Sequence, residues 1–264
     1  MISNCGGENI HCTDIIMPVY NQASYTQACL ASIAAQTPSR HRVIVIDNGS
    51  TDETPSLLSD CRDQGLPVEV ISNTANLGFT QAANQGLRLS DASHVVLLNN
   101  DTLVTEGWLS GLLLTADGDK AIGIVGPRIL DPRTDLIRCI GGLVFHTTRV
   151  EAPPGQGCAK DDPRFAESFD CQYVEGSCML IKRHVLEVIG YLDEIFSPGY
   201  YEDVDYCFRA REAGFRVVYS PHSEIYHHVN VTANAMRREG PSLSQAACRN
   251  DRIFRERWGH RFWP

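Results

Sequence analysis

Several common signals are missing from this chain, and each absence removes a class. Its ten cysteines include no Cys-x-x-Cys pair, so a zinc knuckle or a thioredoxin-type redox motif is not supported. Neither Gly-x-Gly-x-x-Gly nor Gly-x-x-x-x-Gly-Lys-Ser/Thr occurs, which leaves a dinucleotide dehydrogenase or a P-loop NTPase poorly supported. Positive charge is in the minority: 23 Lys and Arg against 32 Asp and Glu give a formal net charge of −9. A nucleic-acid binder has the opposite, basic footprint, so no nucleic-acid partner is expected. A phosphate ligand stays open, because a local site can be positive on an acidic protein. No stretch approaches the ~18 apolar residues of a membrane span, and Met1 to His11 has neither the basic nor the apolar region of a secretory signal. The expectation is a cytoplasmic protein with reduced thiols, at most peripheral to a membrane.

What is present is alternation. At 264 residues the chain can bury a sizeable core, and its length suits one large α/β domain as well as two small ones. Asp14 to Val19, Val43 to Ile46, Pro67 to Ile71 and Val95 to Leu98 are short apolar runs of the kind buried on both faces of a sheet. Helical patterns separate them, through Ala28, Leu30, Ile33 and Ala34, then from Thr54-Pro55, then through Ala83 and Leu87. Strands alternating with helices predict an α/β fold, a mostly parallel central sheet flanked by helices. A helix near Thr105 to Thr115 and a strand at Ile122 to Val125 continue the pattern. Pro127 to Asp170 is irregular, with a short strand expected at Gly142 to Phe145. Order returns with a strand over Tyr173 to Ile181 interrupted by Gly176, a helix from Arg183 to Ile189, and a helical stripe from Val204 to Gly214. A strand at Phe215 to Tyr219 and an Arg-rich helix near Leu243 to Trp258 follow, the latter read first as a solvated face.

The strand ends carry the chemistry. Val95-Val96-Leu97-Leu98 breaks into Asn99-Asn100-Asp101, Val43 to Ile46 ends on Asp47, and Asn76 follows the third strand. Ligands of open α/β sheets bind outside the carboxyl ends of the strands, so these side chains share one edge suited to a sugar, a base or a metal. Asn and Asp also cap helices well, and Glu202, Asp203 and Asp205 equally suit the first turn of one.

Taken together, seven segments resemble the family 2 glycosyltransferases of the GT-A fold, in particular their rhamnosyltransferase-like branch. They are Met17-Pro18-Val19-Tyr20-Asn21, Val45 to Asp52 (VIDNGSTD), Asn76-Leu77-Gly78-Phe79, Leu98-Asn99-Asn100-Asp101, Val174-Glu175-Gly176, Tyr201 to Asp205 (YEDVD) and Ile225-Tyr226-His227. They stand in family order at family-like spacing. The resemblance implies a single Rossmann-like domain: a nucleotide-sugar-binding half over 12–126, an irregular insert over 127–172, and an acceptor-side, catalytic half over 173–264. It implies an inverting transferase that moves a sugar from a UDP- or dTDP-linked donor to a glycan or lipid-linked acceptor, as in cell-surface polysaccharide synthesis, with Mn2+ or Mg2+ as cofactor.

The resemblance also implies roles. Asp203 is the catalytic base, with Glu202 and Asp205 in support. Asp101 is the metal carboxylate, and His227, or failing that His228, completes the metal site. Pro18, Tyr20, Asn21, Asp47, Asn76, Gly78, Asn99, Asn100 and Gly176 fall to the nucleotide sugar, Asp47 taking a hydrogen bond from the base. One departure stands out: Asn99 replaces the first Asp of the Asp-x-Asp motif, and an amide is a poor metal ligand. It favours an alternative, a non-catalytic nucleotide-sugar or carbohydrate-binding module that kept the fold. A sugar-1-phosphate nucleotidyltransferase fits less well, since Val19-Tyr20-Asn21-Gln22 is not a glycine-rich basic loop.

Overall fold

A computed structural model of the protein describes residues 13–144, 154–229 and 243–262. The first half runs β1 (Thr13–Val19), α1 (Ala23–Gln36), β2 (His41–Asp47), α2 (Thr54–Asp63), β3 (Val68–Ser72), α3 (Phe79–Leu89) and β4 (His94–Leu98). The second half adds β5 (Thr102–Val104), α4 (Trp108–Asp117), β6 (Ile122–Leu130), β7 (Ile137–Cys139), β8 (Phe169–Asp170), β9 (Cys178–Lys182), α5 (Arg183–Ile189), α6 (Glu202–Glu212), β10 (Arg216–His227) and α7 (Leu243–Trp258). One ten-stranded sheet orders them β3-β2-β1-β4-β9-β6-β10-β5, with β7 attached to β6 and β8 to β10.

The apolar runs lack alternation because both faces of the sheet are covered. Ile16, Ile44, Ile46, Val95 and Leu97 point to one side, where they meet residues of α3, α6 and α7. Ile15, Met17, Val43, Val45, Val96 and Leu98 point to the other and meet α1, α2 and α4. The two-residue side-chain period of a strand makes that division. The charged exception inside β1 is Asp14, fully buried and held by Arg42 Nη2 at 2.7 Å and Nε at 2.9 Å.

The parallel character is confined to β3-β2-β1-β4 and to the β6-β10 pair. β9 runs antiparallel to both of its neighbours and joins the two sets. Several segments differ from the sequence expectation. Of Tyr173 to Ile181 only the part from Cys178 is strand, because Cys178 N donates to Glu175 O and closes a turn, while Gly176 N donates to a side chain. Gly142 pairs with Tyr173 through one isolated bridge rather than a strand, and Phe145 lies outside the described residues. β10 does not stop at Tyr219. It passes through Ser220-Pro221-His222 with a register shift between Tyr219 and Glu224, the kind of irregularity that tolerates a proline without an N–H. The stretch 127–172 contributes the end of β6 together with β7 and β8.

The arginines of α7 are mostly engaged rather than solvated. Arg257 reaches Asp205 and Asp193, each at 2.8 Å, Arg255 pairs with Asp251, and Arg249 donates to the carbonyls of Ile195 and Ser197. All eight described cysteines are unpaired thiols, six of them buried. Among the described residues no helix is long and apolar enough to cross a membrane.

Candidate active site

A cavity of about 490 Å³ opens at the carboxyl ends of the parallel strands, within the size range of small-molecule sites. The end of β1 brings Pro18 to it, and the loops after β1 and β3 bring Tyr20, Asn76 and Gly78. The end of β4 brings Asn99, Asn100 and Asp101, and the last residue of β10 is His227. Gly176, Glu202 and Asp203 arrive from the turn before β9 and the start of α6.

Asn21, Asp47 and Asp205 are not among the lining residues. Asn21 ties two loops, its Oδ1 accepting from Thr51 N at 2.7 Å and Asp52 N at 3.3 Å. Asp47 Oδ1 accepts from Ser50 N at 3.0 Å, whereas its Oδ2 makes no hydrogen bond among the described residues. Asp205 is fully buried and accepts from Trp258 Nε1 and Arg257 Nη1, both at 2.8 Å, so it fastens α7 to α6. Asn100 lines the cavity but spends its Nδ2 on Thr26 Oγ1 at 2.9 Å.

The strand-end loops are laced together by Asn48, which was given no role of its own within the Val45 to Asp52 segment. Its Nδ2 donates to Asn76 Oδ1 at 2.8 Å and Gly78 O, and its Oδ1 accepts from Leu77 N and Asn73 Nδ2. Gly78 sits at φ +84°, and a Cβ there would fall 2.5 Å from Pro198 Cα. That glycine lets the β3 loop lie directly against the Ser197–Tyr201 loop. The second loop is held from behind: Asn250 Nδ2, on α7, donates to the carbonyls of Phe196, Gly199 and Tyr200 at 2.7–3.0 Å.

Glu175 is a second residue that sequence reasoning passed over, although it stands inside a quoted segment. It accepts from His227 Nδ1 at 3.0 Å, and His227 Nε2 lies 3.2 Å from Asp101 Oδ1. Burial alone would lower the basicity of His227, but its hydrogen bonds to Asp101 and Glu175 outweigh it and raise the imidazole to about 9. Burial likewise opposes ionisation of Glu175, and the imidazolium overrides it, holding the carboxyl at about 2. His228 turns elsewhere, its ring edge-on to Tyr25 with centroids 5.1 Å apart.

This pair fits a divalent cation. With Nδ1–H given to Glu175, a neutral His227 presents the Nε2 lone pair to the Asp101 carboxylate, a contact that needs a positive charge between them. A proton or a cation can supply it. Glu175 is the kind of partner that fixes the tautomer of a ligating histidine. Among the described residues no cluster of three or more His, Cys, Asp or Glu is arranged around a metal position. Two protein ligands still suit an ion that takes its remaining ligands from phosphate and water.

At the start of α6, Asp203 accepts from Gly176 N through Oδ2 and from Val204 N through Oδ1, both at 2.8 Å. A Cβ on residue 176 would crowd Asp203 at 3.1 Å, so Gly176 permits this approach. Burial pushes the Asp203 carboxyl up against the lowering effect of those N–H groups, to about 6. Glu202 is 6% exposed, its Oε2 has no hydrogen-bond partner among the described residues, and burial next to Asp203 raises it well above the ordinary carboxylate range. The cavity thus offers an ionised carboxylate beside a cationic imidazole, and a separate carboxyl poised to take a proton near neutral pH.

Such a sheet, with its ligand cavity at the end of a parallel half, defines a GT-A-type fold, and solved structures agree. The chain is similar to GalNAc-T7 solved with UDP, GalNAc and Mn2+ (TM-score 0.68, 17% identity, covering 84% of this chain and 44% of that one). It is also similar to the mannosyltransferase PcManGT of Pyrobaculum calidifontis, solved with GDP-Man and Mn2+ (TM-score 0.61, 17% identity, 97% and 77% covered). The family model for Glycosyl transferase family 2 matches residues 14–190, and the chain belongs to that family. Among curated proteins it is 29% identical over 241 residues to N-acetylglucosaminyl-diphospho-decaprenol L-rhamnosyltransferase of Mycobacterium tuberculosis, covering 81% of this chain and 75% of the relative. It is 26% identical over 222 residues to an uncharacterized protein of Sinorhizobium fredii, of which it spans only 24% of the length.

Proposed function

We propose that the protein is an inverting, metal-dependent glycosyltransferase. It moves a sugar from a UDP- or dTDP-linked donor to a hydroxyl of a glycan or lipid-linked acceptor, as in cell-surface polysaccharide synthesis. The main support is that a single cavity gathers Asp101 after β4, His227 at the end of β10 and Asp203 at the start of α6. The rhamnosyltransferase relative, named for a diphospho-decaprenol substrate, supports a lipid-linked acceptor.

Asp101 and His227 are the residues to hold Mn2+ or Mg2+, which would neutralise the charge that grows on a departing diphosphate. The chain does the rest. Pro18, Tyr20, Asn76 and Gly78 flank the nucleotide, Asn99 and Asn100 lie beside the diphosphate end, and Gly176 lies beside the sugar. Asp203 takes the proton of the acceptor hydroxyl as its oxygen bonds to the anomeric carbon and the carbon–oxygen bond to the nucleoside diphosphate breaks. One displacement inverts that carbon. Glu202 and Asp205 support the helix start, Asp205 from its buried contact with α7. Asn99 alone favours the second reading, a binding module without turnover.

Asp47 Oδ2 remains available to accept from a pyrimidine imide N–H. Calorimetric titration with UDP, dTDP and GDP tests this. The pyrimidine nucleotides should bind best, and Asp47→Ala should weaken them by about 1.5–3 kcal/mol, the weight of a hydrogen bond to a charged group. Tight GDP binding with no UDP or dTDP binding would remove the assignment.

A further inference from the structure

Arg138, the middle residue of β7, also lines the cavity, yet the reaction above has no use for it. Its side chain makes no hydrogen bond or ion pair with any described residue, and its Nε is buried without a partner. A buried N–H left unpaired is destabilising, so a guanidinium in this condition is better explained by a ligand than by packing. Glu175 feels its charge but does not neutralise it, because that carboxylate is bound to His227 Nδ1 at 3.0 Å and forms no ion pair with Arg138.

The position of β7 indicates which ligand. It hangs on β6, on the far side of β9 from β1 to β4, whose loops carry the residues assigned to the nucleotide. Arg138, Tyr173 and Asp203 all line this one cavity. A molecule reaching Arg138 is therefore one that can present its hydroxyl to Asp203. Asp101, Glu175 and Asp203 would repel a negatively charged acceptor, and an unpaired guanidinium offsets that. Its planar fork suits two oxygens of one phosphate or carboxylate.

We infer that Arg138 receives an anionic substituent of the acceptor, a phosphate or a carboxylate, and so selects charged over neutral acceptors. This rests on the glycosyltransferase reading, and it gives the 127–172 stretch a part in substrate choice.

The test is a titration of the UDP- and Mn2+-loaded protein with three probes: citronellyl diphosphate, octyl glucuronide, and octyl glucoside below its micellar concentration. Either anionic probe should bind more tightly than octyl glucoside, and the two together tell phosphate from carboxylate. Arg138→Gln should weaken the preferred anion by about tenfold or more, as expected for a lost charge-assisted contact, and leave UDP affinity and octyl glucoside binding unchanged. Arg138→Lys, which keeps charge but not the fork, should recover only part of the loss. Unchanged anion binding in Arg138→Gln would overturn the inference, as would an equal loss for octyl glucoside or a loss confined to UDP. If UDP failed to bind the wild type, the donor reading would fall. The same anion titration on nucleotide-free wild type and Arg138→Gln would then still decide the role of Arg138.

Discussion

Replacing Asp203 with Asn removes a proton acceptor while keeping the side-chain shape. Asp203 now accepts two backbone N–H groups, one on each oxygen. An Asn offers one oxygen, so either Gly176 N or Val204 N must face an amide NH2, a loss of about 1–3 kcal/mol for an unsatisfied buried donor. Against this, the substitution relieves a cost. Folded Asp203 keeps its proton to about 6 instead of the usual 3.8, so it subtracts stability as pH rises through that window. At neutral pH the two terms oppose, and the melting temperature should move little. Turnover should not be spared: a general base is worth ~10²–10⁴-fold. The assay is sugar transfer across a pH series, with UDP binding measured alongside. In the wild type kcat/KM should fall as pH drops through about 6, where Asp203 takes up its proton. In Asp203→Asn transfer should drop by ~10²-fold or more with UDP affinity kept, because a transition-state interaction has been removed. Near-normal transfer, or a loss of UDP binding in its place, would refute the assignment and leave Glu202 next in line.

Two further outcomes follow from residues behind the cavity. Glu175→Gln keeps an acceptor for His227 Nδ1 but deletes the charge, so Mn2+ affinity should fall by ~10–100-fold, with binding of UDP in chelator unchanged. Asn250→Ala strips one donor from three loop carbonyls. It should cost about 1–3 kcal/mol in a denaturant melt and lower kcat more than it raises the donor KM, because the loop leads into Asp203.

Much of this was legible in the chain. The four parallel strands and their polar ends read out directly, because burial on both faces forces continuous apolar runs and the exit from each run is abrupt. Glu202 and Asp203 were visible only as acidic residues suited to a helix start, and it was the family resemblance that singled them out. What the pattern hid was whatever depended on partners far away in sequence. Asn48 looks like any turn residue until its contacts with Asn73, Asn76, Leu77 and Gly78 are seen. Glu175 gains meaning only from His227, 52 residues later. Arg138 sits in a segment whose short strands, three and two residues long, are too brief to show a period. The arginines of α7 looked solvated because nothing local reveals Asp193 or Asp205 across the fold.

The central claim is metal-assisted turnover of a nucleotide sugar, and nucleotide release measures it most directly. Wild type and Asp101→Asn should be incubated with a panel of UDP- and dTDP-sugars, in Mn2+ and in chelator. The account predicts that the wild type releases nucleotide from at least one donor in Mn2+. Release should be lost in chelator and lost again in Asp101→Asn, with both proteins melting alike. Equal release with and without metal would contradict it, as would a wild type that binds donors and never cleaves them.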